Sequence, residues 1–169
     1  MSAKHSFTRT GVPIKHSMMR YVLKEPIPVT VGENVIGRIS ELEVYKEEKQ
    51  QFVDKWLLTS KSLSVCVLYN DGVFEWERVS THLPNDSHLG ENEFFVKNYS
   101  ESEYFYNALI EHGIISETGN TEPAGFVNIP ICKFHAETYD FCTKYSVPHR
   151  SAPQRGIWSN ERHKAKQGA

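Results

Sequence analysis

Asp71-Gly72, set between the apolar runs 63–69 and 74–78, constrains this chain more than any other feature. Both residues accept the positive φ angles of a tight two-residue turn, and the flanks are rich in β-branched and aromatic side chains. Such a turn pairs Tyr69 with Phe74, Val67 with Trp76, Cys66 with Glu77 and Val65 with Arg78, placing aromatic side chains together on one face. An antiparallel sheet follows. Pro84 in Leu83-Pro84-Asn85-Asp86 ends the pairing, because proline lacks the donor that a ladder needs.

The residues on either side extend the pattern. Phe94 to Tyr99 reads as a short strand that leads into Ser100-Glu101-Ser102-Glu103, the spacing of a capping box. A helix is expected from there, with Phe105, Ala108, Leu109 and His112 along one side and Gly113 ending it in a left-handed conformation. Phe126 to Phe134 reads as a strand with Val127, Ile129 and Ile131 on one face, and Pro130 implies an edge position or a bulge. Upstream, 29–31 and 35–44 alternate around Gly32-Glu33-Asn34 as a first hairpin. Lys46 to Leu58 places Phe52, Val53, Trp56 and Leu57 at helical spacing. The absence of a cap leaves a long strand excursion as the alternative for that segment.

These elements predict a single α+β domain, with a mainly antiparallel sheet and one or two packed helices. The expected divisions are an N-terminal arm over 1–28, where Gly11, Pro13, Pro26 and Pro28 interrupt regular structure, the domain over 29–142, and a basic, flexible tail over 143–169. At 169 residues and 39% hydrophobic, the chain supports one modest core. No run approaches the length of apolar sequence that a membrane helix needs, and 1–21 lacks the apolar centre of a signal peptide. The three cysteines, Cys66, Cys132 and Cys142, argue for a reducing compartment, so a cytoplasmic location and no membrane association are expected.

Charge is segregated. From 81 to 122 eight acids stand against Lys97 alone, a balance of −7, whereas from 143 to 169 six bases stand against Glu161, a balance of +5. An acidic body with a basic end can attract partners of either sign.

Taken together, Ser62-Leu-Ser-Val-Cys-Val-Leu-Tyr69, Ser80-Thr-His-Leu-Pro84, Phe94-Phe-Val-Lys-Asn98, Glu111-His-Gly-Ile-Ile115 and Gly125-Phe-Val-Asn-Ile-Pro130 resemble a family of small uncharacterised domains. Members of that family are carried by bacterial plasmids, phages and conjugative elements. The resemblance spans about 62–134. It implies an α+β domain in a mobile-element setting and brings no catalytic residues. The segment 46–58 and the basic tail depart from the family pattern.

Several residue groups invite a chemical reading. Cys132-x-x-His135 with Cys142 and His149 offers four zinc-type ligands, but the second pair lies too far apart in sequence for the usual two close pairs, and no metal or cofactor is expected. Cys66 sits mid-strand, where a thiol is an ordinary packing residue. His82, His88 and His112 stand in no recognisable relation to a nucleophile. Phosphate-binding glycine motifs and H-E-x-x-H are missing from the sequence. Glu41, Glu43, Glu47 and Glu48 read as the polar side of a strand and helix rather than as ligands for a hard cation.

Two binding surfaces remain. Glu91, Glu93, Glu101, Glu103 and Glu111 are candidates to meet a basic protein partner. Arg150, Arg155, Arg162, Lys164 and Lys166 around Trp158 are candidates to hold phosphates and stack on a base. The expected function is therefore non-enzymatic: an accessory protein of a mobile element that binds a host or element macromolecule stoichiometrically. Inhibition of host defence is the role that its setting suggests. The alternative is nucleic-acid binding through the basic tail.

Overall fold

The computed structural model describes residues 4–7, 13–84, 86–135 and 142–146. The strands are β1 (Lys4–Phe7), β2 (Pro13–Val31), β3 (Asn34–Phe52), β4 (Lys55–Tyr69), β5 (Phe74–Arg78), β6 (Glu93–Phe95), β7 (Ile115–Ala124), β8 (Val127–Phe134) and β9 (Cys142–Ser146); the one helix among the described residues is α1 (Ser102–Glu111). Strands account for 67% of the described residues and form two antiparallel sheets. The architecture is thus mainly β, which corrects the α+β expectation. The one ten-residue helix packs Phe105, Tyr106, Ala108 and Leu109 into the core and forms no helical layer of its own.

The larger sheet has the order β1-β2-β3-β4-β5, and β9 pairs with β2 beyond the stretch of that edge taken by β1. β2 and β3 are each 19 residues long and join through a two-residue turn at Gly32-Glu33, where Gly32 supplies φ +64. The smaller sheet has the order β6-β8-β7. Tyr21, Leu23, Ile27 and Val29 of β2, Ile39, Leu42 and Val44 of β3, and Leu63, Val65 and Val67 of β4 form the buried face of the large sheet. Phe105, Ala108 and Leu109 of α1, together with Phe94, Ile114, Cys132 and Phe134, belong to the same core. Phe134 joins the two sheets, edge-on to Tyr21 at 5.2 Å and to Phe94 at 6.0 Å. The buried Ser80 is satisfied where the chain leaves β5, its hydroxyl accepting from Leu63 N–H at 2.7 Å.

Several local expectations change. The segment 13–28, read as an arm, is the first part of β2, and Thr143 to Ser146, read as tail, lies in β9. Pro26 fits because β2 bulges there: the register with β3 jumps between Val22 and Ile27, leaving Lys24, Glu25 and Pro26 exposed, and Pro28 is back in register opposite Arg38. Lys46 to Leu58 is not a helix. It is the end of β3, a turn at Val53-Asp54 and the start of β4, in line with the missing cap.

The hairpin at Asp71-Gly72 forms with its register moved by one. Leu68 faces Phe74, Cys66 faces Trp76, Val65 faces Glu77 and Ser64 faces Arg78. Tyr69 N–H donates to Val73 O at 2.9 Å, so Asn70, Asp71 and Gly72 form a three-residue loop, with Gly72 at φ +88 and the Asp71 carboxylate accepting from Val73 N–H. A one-residue slip exchanges the two faces, which moves Trp76 to the side of Cys66 and Arg20.

The capping box is replaced by a backbone turn. Ser100 lies at φ +55, Glu101 occupies the cap position without a side-chain bond, and the Ser100 carbonyl accepts from Glu103 N–H at 3.2 Å. The far end follows expectation: Gly113 at φ +73 donates to Ile110 O while Ile114 N–H donates to Leu109 O, and Ile114 and Leu109 are both buried. His112, expected on the packed side, is exposed at the cap. In β8 the packed side carries Pro130, Cys132 and Phe134; of the opposite set, Ile129 is buried while Val127 and Ile131 are only half-buried. Pro130 sits in the central strand, not at an edge. It is tolerated because β7 bulges between Glu117 and Thr121, and its carbonyl accepts from Val96 N–H just past the end of β6.

Candidate functional site: the far end of the long ribbon

The core reaches only as far as Tyr21, Val44 and Leu63, yet β2, β3 and β4 continue together past it. A polar network runs from the edge of the core out along this extension. On one face Arg20 donates from Nη2, at 2.7 Å, and from Nε, at 3.3 Å, to the same oxygen of Glu43, and both side chains are mostly buried. The Arg20 guanidinium also lies 5.2 Å from the Trp76 ring, a contact that the observed hairpin register makes possible. Further out, the Tyr45 hydroxyl donates to Glu47 at 3.0 Å and stands 2.9 Å from His16 Nδ1, while the Thr59 hydroxyl reaches Glu47 at 3.1 Å. The strand pairings make this possible: His16 and Glu47 are direct partners, and Thr59 is the extra residue of a bulge between Leu58 and Ser60. On the opposite face Lys15 sits 4.8 Å over the Trp56 ring and 3.7 Å from Glu48.

The network ends in an apolar tip. Phe52 and Val53 are 68% and 93% exposed at the turn into β4, and Leu57 is also exposed. The Gln50 amide donates to Val53 O at 2.8 Å, and Lys55 lies 5.9 Å from the Phe52 ring, so the turn is braced from both sides. Phe126 at the Gly125 turn between β7 and β8 is fully exposed as well, but its neighbours in sequence include no base.

Chemically, the ribbon end presents cations and a rigid apolar point. Three of its acids are engaged from within, Glu43 by Arg20, Glu47 by Tyr45 and Thr59, and Glu48 by Lys15, while Asp54 stands at the turn. Glu41, Glu43, Glu47 and Glu48 were expected on the polar side of a strand and helix; all four lie in β3, and none of them is in a helix.

The acidic candidates fall on two stretches, the approach to β6 and the helix α1. Glu93 accepts from Gly90 N–H at 2.8 Å and shapes its own loop, and the backbone carbonyl of Glu91 accepts from Lys61. Glu103 and Glu111 share the exposed stripe of α1 with Asn107, while Glu101 is exposed at its start. Glu101 also acts electrostatically on Tyr69. Burial first, then Glu77, Glu75 and Glu101, hold the Tyr69 hydroxyl well above its usual range. The basic candidates Arg150, Arg155, Trp158, Arg162, Lys164 and Lys166 lie outside the described residues, as does His149.

Of the zinc-type candidates, Cys132 points into the core, fully buried, and burial pushes its thiol up to about 11, against a counteracting Tyr106 hydrogen bond. Tyr106 itself donates to Glu117, and burial together with that carboxylate raises its hydroxyl. His135 follows the strand on the outer side and its Nε2 lies 2.6 Å from the Ser116 hydroxyl, so the pleat separates Cys132 from His135. Cys66 is buried as expected. Lys61, unremarked in sequence, is buried with its ammonium donating to the carbonyls of Gly90 at 2.9 Å and Glu91 at 2.5 Å, above the Phe94 ring. Phe52 and Val53 were hidden by the helical spacing of 46–58; the clue was the period-two alternation that resumes after Ser60.

Comparison of the chain with family models, with curated proteins and with solved structures found no match. Among the described residues no helix is long and apolar enough to cross a membrane.

Proposed function

We propose that this protein is a non-enzymatic binding protein that acts by stoichiometric association with another macromolecule. The observation that carries the reading is the ribbon that outruns its own core and ends in an exposed Phe52-Val53 point. Burying large apolar side chains stabilises a fold, and displaying two of them on a braced turn contributes nothing to it. Cys66 and Cys132 fit scaffold roles, since both are buried and the Cys132 thiol is held up at about 11. The resemblance over 62–134 adds a setting, an accessory protein of a mobile element, and makes a host-defence component the target class of first interest.

Affinity capture of the full chain from host lysate, followed by size-exclusion chromatography and native mass determination, tests this. A partner that co-elutes at a fixed ratio supports the reading. A clean monomer with nothing enriched overturns it. The second reading, nucleic-acid binding through the basic C-terminal residues, is favoured by the +5 balance of 143–169. Truncation after Ser146 abolishes binding to labelled DNA if the tail carries it.

A further inference from the structure

The ribbon end has the makings of a groove-binding element. β2 starts at Pro13 and its Ile14 faces Lys49, so beyond Lys49 the described ribbon narrows to the two strands of the β3–β4 hairpin. The major groove of duplex DNA, about 12 Å wide, accepts a two-stranded ribbon, and exposed apolar side chains can wedge between base steps. Phe52 and Val53 occupy that position.

Charge points the same way. Between 46 and 55 the chain carries Lys46, Lys49 and Lys55 against Glu47, Glu48 and Asp54. Glu48 is paired with Lys15 and Glu47 is bonded by Tyr45 and Thr59, whereas Lys46, Lys49 and Lys55 take part in no ion pair among the described residues. Asp54 is the one acid left at the turn. The cations are spread along the ribbon and over both its faces: unbroken pairing with β2 puts Lys46 and Lys49 on opposite sides, and Lys46 stands six residues from Phe52, about 20 Å at the rise of a strand. A lipid surface reached by the tip would take up roughly 5–10 Å of it and leave Lys46 in water, whereas a duplex lying along the ribbon meets phosphates over the whole length. β9 adds direction. It runs antiparallel to β2 with Ser146 opposite Met19, heading toward the Pro13 end, and the sequence after it carries Arg150, Arg155, Arg162, Lys164 and Lys166.

We propose that the far end of the β2–β3–β4 ribbon binds duplex nucleic acid, with Phe52 and Val53 entering a groove and Lys46, Lys49 and Lys55 meeting phosphates. This rests on the stoichiometric-binding reading and names its partner class.

Fluorescence anisotropy with a labelled DNA duplex of about 20 base pairs tests the proposal on the full chain across a salt series. Binding is expected at low salt. The pair Phe52→Ser and Val53→Ser weakens it about tenfold with little change in salt slope. The triple change of Lys46, Lys49 and Lys55 to Gln lowers the log–log salt slope by about 3. Circular dichroism confirms that these surface variants remain folded. Three results overturn the proposal: folded wild-type protein that does not bind at low salt, affinity that ignores both sets of changes but disappears on truncation after Ser146, and sedimentation with anionic vesicles in place of DNA binding. A stoichiometric protein complex captured alongside absent DNA binding removes this inference and leaves the reading it rests on intact.

Discussion

Removing Arg20 should be among the costlier single changes in this chain. Its guanidinium nitrogen stands 2.7 Å from Glu43, whose side chain is 10% exposed, and that of Arg20 is 18% exposed. At an effective dielectric of about 20, opposite charges this close attract by roughly 6 kcal/mol, most of which offsets the cost of taking both from water. Arg20→Ala removes the attraction but not the desolvation of Glu43, which is left with an uncompensated charge in the sheet. The expected loss is about 3 kcal/mol, a large part of the 5–15 kcal/mol that domains usually have. The Trp76 face, 5.2 Å from the guanidinium, loses its cation in the same step. Urea titration followed by tryptophan fluorescence measures the change in midpoint. The double change of Arg20 to Met and Glu43 to Leu, which removes both charges at similar volume, should recover to within about 1 kcal/mol of wild type. If Arg20→Ala costs under about 0.5 kcal/mol, the value of an exposed pair, or if the double variant is no better than the single, the burial argument is refuted.

Cys132 makes stability depend on alkaline pH. Its folded thiol is held up at about 11 from an ordinary value near 9, so the folded state keeps its proton longer than the unfolded state. The contribution is complete below about pH 9 and is lost as pH rises through about 11; Cys132→Ala should flatten the decline in melting temperature over that window. Thiol labelling below pH 9 should reach Cys66 and Cys132 only through unfolding, since both are buried. Gly37→Ala should cost roughly 1–3 kcal/mol, because a Cβ there would stand 2.8 Å from the Leu68 carbonyl and 3.0 Å from a Val67 methyl across β3 and β4, and thermal melting reads this directly. Gly113→Ala has open space but holds φ +73, so the expected loss is about 1–2 kcal/mol from backbone strain alone, seen as a lower denaturation midpoint without a change in slope.

Turns were legible at Gly32, Gly72 and Gly113, each of which supplies positive φ, but not at Gly125, whose φ +63 reverses the chain between β7 and β8. Register was less legible. Asp71-Gly72 marks a turn in either a two- or a three-residue loop, and only the Tyr69–Val73 bond chooses between them. Ser100 shows the same limit, because a capping-box spacing says nothing of the φ that lets its carbonyl act instead of its hydroxyl. The ribbon tip was the least legible, since Phe52, Val53, Trp56 and Leu57 satisfy a helical period and a turned hairpin equally in one dimension.

By itself, then, the sequence determined which segments alternate, where glycine permits a reversal, and that charge divides between an acidic middle and a basic end. These are local properties, set by side-chain chemistry and backbone sterics within a few residues. The tertiary structure decided that 13–28 joins the sheet, that 46–58 extends the strands past the core, and that α1 is one patch in a β architecture. Each depends on long-range pairing: Pro13 to Val22 is strand because β3 lies beside it, and Phe52 is exposed because no second layer reaches that far.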